Sequence, residues 1–421
     1  LNFAATKTLD RRITFTRDSF GTFTDDMGIV RYASNNVPRF DHDPTTGESL
    51  GLLIEESRTN ILNYSDLISG YSGSWWRNGG TTVSRGSDVT APDGTVSAWN
   101  TVYNGTSGDG NVVRHAGEVT TSNSTVYTLS LFAKIPSTNT YIQGVRIRTY
   151  NSNHSCQFNL STGTIVGTSE GTTTNRMEAY PNGWYRCSIT FTSGTDGNQG
   201  VQFYLMNNSN NTLLNDSNAN GEELYLWGAQ LEEGRFATSY IPTNGSTVTR
   251  AADFATIKGT NFTDFYNQNE GTLFSEFTIK DETYSSAAIA NINQEPGASY
   301  AYSIMFVEVG TANGYFGRTY KNSGGVNLSN ASSVLNSLHP STTPQTVSFG
   351  YTTATGGTLA AYWNGNSVNS SSDLSKVPTT LTNMRIGRGW SGSDVINAHI
   401  RKLSYYNKRL PNAQLQGLTQ Q

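Results

Sequence analysis

The chain has 421 residues, 35% apolar and 14% charged, with a formal net charge of −4. That length buries the cores of two or three domains; the mild acidity without a Lys/Arg run argues against nucleic acid as the main partner, and no apolar stretch approaches membrane-spanning length. Ser, Thr, Asn and 42 Gly stand where charged and helix-forming residues would, so short strands joined by many turns are expected, and 22 Tyr and 18 Phe spread along the chain argue against disorder.

Residues 1–60 come first. Ile13 and Phe15 alternate with Thr, Phe20 and Phe23 flank Gly21, and "DDMG" and "DPTTG" read as turns. The segment is too short and irregular for its own core. Its Phe15, Phe20, Phe23, Leu52, Leu53 and Ile54 exceed what it can cover, so it is expected to be an extended, hairpin-rich anchor packed on a later domain or a partner chain. "RFDHDPTTGE" gathers Asp41, Asp43 and Glu48 and reads as a solvated acidic loop. There is no signal-like start, and without an initiating Met the numbering is expected to begin inside a precursor or a larger chain.

Residues 61–247 alternate cleanly. "YTLSLFAK" puts Tyr127, Leu129 and Leu131 on one face, and "YIQGVRIRTY" puts Val145 and Ile147 opposite Arg146 and Arg148. "WYRCSITFT" buries Tyr185, Cys187, Ile189 and Phe191, "VQFYLMN" buries Val201, Phe203 and Leu205, and "ELYLWGAQLEEG" closes the set. Polar loops between such strands describe a two-sheet antiparallel sandwich. Cys156 and Cys187 pair if their strands are neighbours; the preferred reading is two buried thiols used as small apolar residues.

Residues 248–421 repeat the pattern in "GTLFSEFTIK", with Leu273, Phe277 and Ile279 against Phe274, Glu276 and Thr278, then in "YSIMFVEV", "QTVSFGYT", "NMRIGRG" and "AHIRKLSYYNKRL". "YWNGN" predicts a hairpin, since Asn-Gly accepts positive φ. The one predicted helix starts at Pro411, with Leu415 and Leu418 three apart. The fold class is therefore all-β: two successive antiparallel sandwiches after an extended N-terminal β segment. No repeat aligns between them, which argues against a solenoid.

Exposed aromatics are the natural platforms for a sugar ring. Trp75 and Trp76, beside Arg77 in "SGSWWRNGG", sit in a loop-like stretch, and two adjacent Trp on a strand would face opposite ways. Trp390 lies among Gly and Ser, near Arg388 and Asp394. These six residues are the candidate ligand contacts; Trp184, Trp227 and Trp363 alternate with strand residues and are taken as packing. No His/Cys ligand spacing and no G-x-S-x-G elbow occurs. "EE" pairs at Glu55–Glu56, Glu222–Glu223 and Glu232–Glu233 face opposite ways on a strand and make no dyad of the kind glycoside hydrolysis needs. No catalytic residue is expected.

Three segments carry a family resemblance. "NVPRFDHDPTTGESLGLLIEESRTNIL" resembles a segment of bacteriophage tail-fibre-like and head-fibre-like proteins. "YTLSLFAK", "NGWYRCSITFT", "LYLWGAQLEEG" and "ATSYIPTNGSTVTRAAD" resemble jelly-roll carbohydrate-binding modules attached to such proteins. "AAYWNGN", "MRIGRG" and "HIRKLSYYNKRLPNAQLQGLT" resemble the concanavalin A-like, laminin-G-like sandwich. The resemblance implies a virion surface protein assembled in a host cytoplasm, a homotrimer among other virion proteins, and a tail-fibre or tailspike-type adhesin for host-surface glycans. A capsid decoration or head fibre is the alternative, and a glycan depolymerase the third reading; the E-x-D-x-x-E strand of catalytic concanavalin-type sandwiches is absent. Jelly rolls of this kind commonly hold a structural Ca²⁺, for which Asp88, Asp93 and Glu223 are the candidate oxygens. No other cofactor is implied.

Overall fold

A computed structural model describes residues 1–65, 75–78, 81–85, 88–104, 112–115, 119–149, 154–194, 198–207, 214, 216–280, 287–294, 302–309, 315–321, 325–328, 343–389 and 394–420. These residues build two antiparallel β-sandwiches, each with its own core.

In the first sandwich, one six-stranded sheet runs Thr164–Glu170, His154–Asn159, Ile142–Thr149, Val201–Asn207, Val112–His115, Trp75–Asn78. The other runs Thr172–Ala179, Tyr185–Thr192, Val126–Lys134, Glu223–Glu233, Trp99–Tyr103, Thr81–Arg85. The alternation read from the sequence fills the space between them: Leu129, Leu131, Val145, Ile147, Phe158, Cys187, Ile189, Phe191, Phe203 and Leu205 share one buried cluster.

The second sandwich is not made by residues 248–421 alone. One seven-stranded sheet runs Asn366–Ser371, Leu359–Trp363, Gln345–Thr352, Glu270–Ile279, Ala398–Tyr406, Ser49–Ile54, Arg39–His42. Its last two strands come from the N-terminal segment, with Ile54 opposite Ala398 and Leu52 opposite Ile400. The facing seven-stranded sheet begins with Thr14–Thr16 paired to Phe254–Lys258. Phe3, Phe15, Leu52 and Ile54 lie in one buried cluster with Phe277, Ile292, Phe349 and Ile400. Three of the six apolar residues singled out in residues 1–60, Phe15, Leu52 and Ile54, are thus absorbed by the same chain's C-terminal sheets. Between the sandwiches, Arg58–Asn60 pairs with Val248–Arg250 as a two-stranded ribbon where the chain leaves and re-enters.

The "YWNGN" hairpin forms, with Asn364 at φ 43° and Gly365 at φ 79°. The predicted C-terminal helix is Asn412–Leu418, and two single-turn helices, Phe3–Thr6 and Thr260–Thr263, accompany it. A last N-terminal element, the hairpin of Gly21–Thr24 and Val30–Ala33, lies over the first sandwich. Its Val30 packs with Phe132, Trp184, Trp227 and Tyr240, which point away from that sandwich's own core. The central strands of that sheet are therefore covered on both faces around Phe132 and Trp227, and the two sandwiches meet through N-terminal chain.

Candidate functional site

Where the three parts meet, the chain leaves a cleft of about 380 Å³. Its floor is the outer face of the second sandwich's sheet. Phe277 and Ile279 turn into the core, so the residue between them, Thr278, faces outward, opposite His399 on the next strand. Asp41 joins them from the edge strand. A bulge between Asp41 and His42 leaves Leu50 without an opposite partner, and both Asp41 and His42 line the cleft as a result. The walls are Arg176, Glu178, Tyr180 and Arg186 from the first sandwich, Phe23 from the hairpin, and Phe236.

The floor is tightly hydrogen-bonded. His399 Nε2 lies 2.7 Å from Asp41 Oδ2, and the Thr24 N–H donates to Asp41 Oδ1 at 2.6 Å. Thr278 Oγ1 is 3.4 Å from His399 Nδ1. Burial lowers the affinity of the His399 ring for a proton, the nearby Lys280 charge adds to this, and Asp41 opposes it; the net shift is downward. The ring is then neutral at pH 7, donating Nε2–H to the carboxylate. Burial alone would raise the Asp41 carboxyl, but the His399 hydrogen bond, the Lys280 charge and the Thr24 N–H outweigh it and hold it below its ordinary value.

A depressed folded-state pKa means that the unfolded chain takes the proton first. The His399 contribution to stability is thus fully present above the ordinary imidazole value of about 6.5 and is lost as pH falls below it. The melting temperature is expected to drop on acidification from about pH 7.5 to about pH 5, and His399→Gln is expected to flatten that slope; an identical slope in the variant would assign it to other groups.

The walls are aromatic. Tyr180 stacks edge-on to Phe132 with ring centroids 5.0 Å apart, and burial pushes its hydroxyl well above the ordinary phenol range. Arg186 lies over the Phe132 ring at 5.4 Å and donates to Thr238 O at 2.7 Å. A shallower depression of about 300 Å³, lined by Met27, Thr46 and Pro181, shares Pro44, Thr45 and Tyr180 with the cleft and continues it outward.

The residues singled out in the sequence lie elsewhere. Trp75, Trp76 and Arg77 are on an edge strand, not in a loop, with Trp76 opposite Arg114; only the backbone of that strand is described. Trp390 is outside the described residues. Arg388 lies over the Phe254 ring at 4.6 Å, and Asp394 O accepts from Gly389 N across the turn they flank. Asp88, Asp93 and Glu223 form no common cluster; among the described residues no three His, Cys, Asp or Glu gather as metal ligands. Glu223 instead accepts from Asn100 at 2.6 Å and Tyr225 at 2.5 Å, and Asp93 from Thr95. No disulfide joins Cys156 and Cys187; both are buried, and burial raises the Cys187 thiol well above its ordinary value. Trp184 and Trp227 are buried as packing residues, and Trp363 is half-buried against the core.

The acidic "RFDHDPTTGE" stretch is a solvated turn only in its second half; its first half is the edge strand Arg39–His42. Asp41 is buried and paired to His399, Asp43 caps its own turn through Thr45 and Thr46, and Glu48 pairs with Arg401 at 2.7 Å. His42, Arg186, Lys280 and His399 gave no motif. The available signal was polarity at outward positions of strands whose inward positions are apolar, as in "AHIRKL".

No family model matches the chain, and no curated protein matches it. Solved structures align at low identity. The CBM40 of the Ruminococcus gnavus IT-sialidase, bound to α2,3 sialyllactose, is 12% identical with a TM-score of 0.27, over 36% of this chain and 83% of that chain. Domain 4 of AbnA, a GH43 extracellular arabinanase from Geobacillus stearothermophilus, in complex with arabinotriose, is 12% identical with a TM-score of 0.30, over 45% and 84%. The CBM22-1–CBM22-2 tandem of Paenibacillus barcinonensis Xyn10C is 8% identical with a TM-score of 0.25, over 82% and 97%. Likenesses at these scores carry no inference about what this chain binds.

Proposed function

We propose that the chain is a glycan-binding surface protein of a virion, a tail-fibre or tailspike-type adhesin that holds host-surface saccharides without cleaving them. The observation that carries the reading is the cleft: aromatic rings beside groups that donate and accept hydrogen bonds, in a space of about 380 Å³, which suits a ligand with apolar C–H faces and polar edges. The virion assignment rests on the resemblance in the N-terminal and "ATSYIPT" segments, and a homotrimer would multiply a weak single-site affinity. No cofactor enters this reading. A capsid-decoration or head-fibre role is the second reading. It is favoured by the fully buried ion pairs of Arg39 with Glu55 and Asp253 at the edge of the second sandwich, where Glu55 also accepts from Ser239 N and Oγ, which follow the last long strand of the first, as a stiff spacer would need.

The test is titration calorimetry of the full chain against host surface polysaccharide. Tyr180→Ala is expected to weaken binding by about tenfold or more, as loss of an aromatic anchor does. In the same mixtures no new reducing ends are expected; their appearance would revive a depolymerase. Absence of any heat, together with antibody labelling on the virion head, would favour the structural role.

A further inference from the structure

We propose that the cleft takes a neutral, hydroxyl-rich sugar unit, one hydroxyl donating to His42 Nε2 and an oxygen accepting the Arg186 Nε–H. The inference rests on the glycan-binding reading and names the class of sugar.

Two buried polar atoms in the cleft wall carry it. His42 is 5% exposed, and its Nδ1 lies 3.1 Å from Thr24 O. A carbonyl oxygen only accepts, so Nδ1 carries the hydrogen, and in the neutral ring Nε2 presents a lone pair. That nitrogen has no hydrogen-bonding partner. Arg186 is 8% exposed; its terminal nitrogen is held by Thr238 O, while its Nε–H has no partner. Neither nitrogen touches solvent, so each carries the cost of desolvation without a bond to offset it. A ligand that supplies both bonds with small side-chain rotations recovers that cost.

The two atoms ask for opposite things. A carboxylate or phosphate only accepts and leaves His42 unmatched. An ammonium only donates and leaves Arg186 unmatched. A hydroxyl does both. The charge around the cleft agrees: Arg176, Arg186 and Lys280 are set against Asp41, Asp43 and Glu178, so the lining has no excess of either sign to select an ion. Phe23, Tyr180 and Phe236 supply the apolar surface for a ring face.

The experiment compares neutral oligosaccharides of hexoses and N-acetylhexosamines with uronate- and sialate-bearing ones, by calorimetry on the full chain. Two variants accompany it. His42→Asn places an amide nitrogen where Nδ1 was, keeping the bond to Thr24 O while removing Nε2. Arg186→Lys keeps the charge and removes the Nε–H. Neutral sugars are expected to bind, with affinity changing less than about twofold between about 0.05 and 0.5 M salt. Each variant is expected to weaken binding by about tenfold with an unchanged melting temperature. Binding of acidic sugars alone would overturn the inference and leave the glycan reading standing. Unaltered neutral-sugar binding in both variants would also overturn it, assigning the two nitrogens to buried water. No binding in either panel would remove both readings.

Discussion

Deletion of residues 1–60 is expected to abolish the C-terminal sandwich. The deletion removes the strand Ser49–Ile54 from its ladder with Ala398–Tyr406, the edge strand Arg39–His42 beyond it, and Thr14–Thr16 from the facing sheet. Phe3, Phe15, Leu52, Leu53 and Ile54 all leave buried positions. Each such side chain contributes about 1.5–3 kcal/mol by burial, and a whole domain is typically stable by only about 5–15 kcal/mol. The exposed edge of Ala398–Tyr406 then offers unpaired backbone groups to other chains. The first sandwich fares differently, because its core cluster contains no residue before Leu62. It is expected to fold but to expose Phe132, Trp227 and Tyr240 where the hairpin had covered them. Calorimetry of the truncated chain should show one transition and size-exclusion should show aggregation. A monodisperse product with both sandwiches melting cooperatively would contradict the strand register.

The strands were legible because their burial alternates. In "WYRCSITFT" and "VQFYLMN" every second residue reaches the core between the sheets, and the sequence carries that period openly. The covered outer face was not legible. Phe132 and Trp227 occupy the positions an open sandwich gives to solvent, and their burial comes from residues elsewhere in the chain, Val30 of the hairpin together with Val89, Ala91, Trp184 and Tyr240. Strand order was hidden for the same reason. Arg39–His42 and Ser49–Ile54 read as an unsupported hairpin until Ala398–Tyr406 appears beside them. The cleft was hidden more deeply. His399 and Asp41 are 358 positions apart, and each alone is one polar residue in a strand. Trp75 and Trp76 drew notice through composition, whereas the groups that gather at the cleft are ordinary residues made special by tertiary placement.

Glu55→Gln is expected to destabilise the chain by about 3–5 kcal/mol, the cost of leaving a buried charge without its partner. Glu55 Oε2 lies 2.7 Å from Arg39 and 3.6 Å from Arg250, and it accepts from Ser239 Oγ at 2.6 Å, while Oε1 accepts from Ser239 N at 2.9 Å. Arg39 also meets Asp253 at 2.5 Å, and Arg17 meets Asp253 at 3.1 Å. All five charged side chains are fully buried, three arginines against two carboxylates. Neutralising Glu55 doubles the excess positive charge in a space closed to water. Burial by itself would raise the Glu55 carboxyl; the Arg250 and Arg39 charges overcome it and hold it well below the ordinary value. Its stabilising contribution is therefore present above the unfolded carboxylate value of about 4.3 and is lost as pH falls below it, so the variant should also lose part of the wild-type acid dependence between about pH 5 and pH 3. Guanidinium unfolding at about pH 7 and about pH 4 measures both effects. The segments that meet here, "LLIEESRTN" and "ATSYIPTNGSTVTRAAD", are the two chain passages between the sandwiches. Breaking the cluster is expected to uncouple the two sandwiches, so that a single unfolding transition becomes two; a variant that still unfolds in one step, within about 1 kcal/mol of wild type, would show that the buried charges are matched without Glu55.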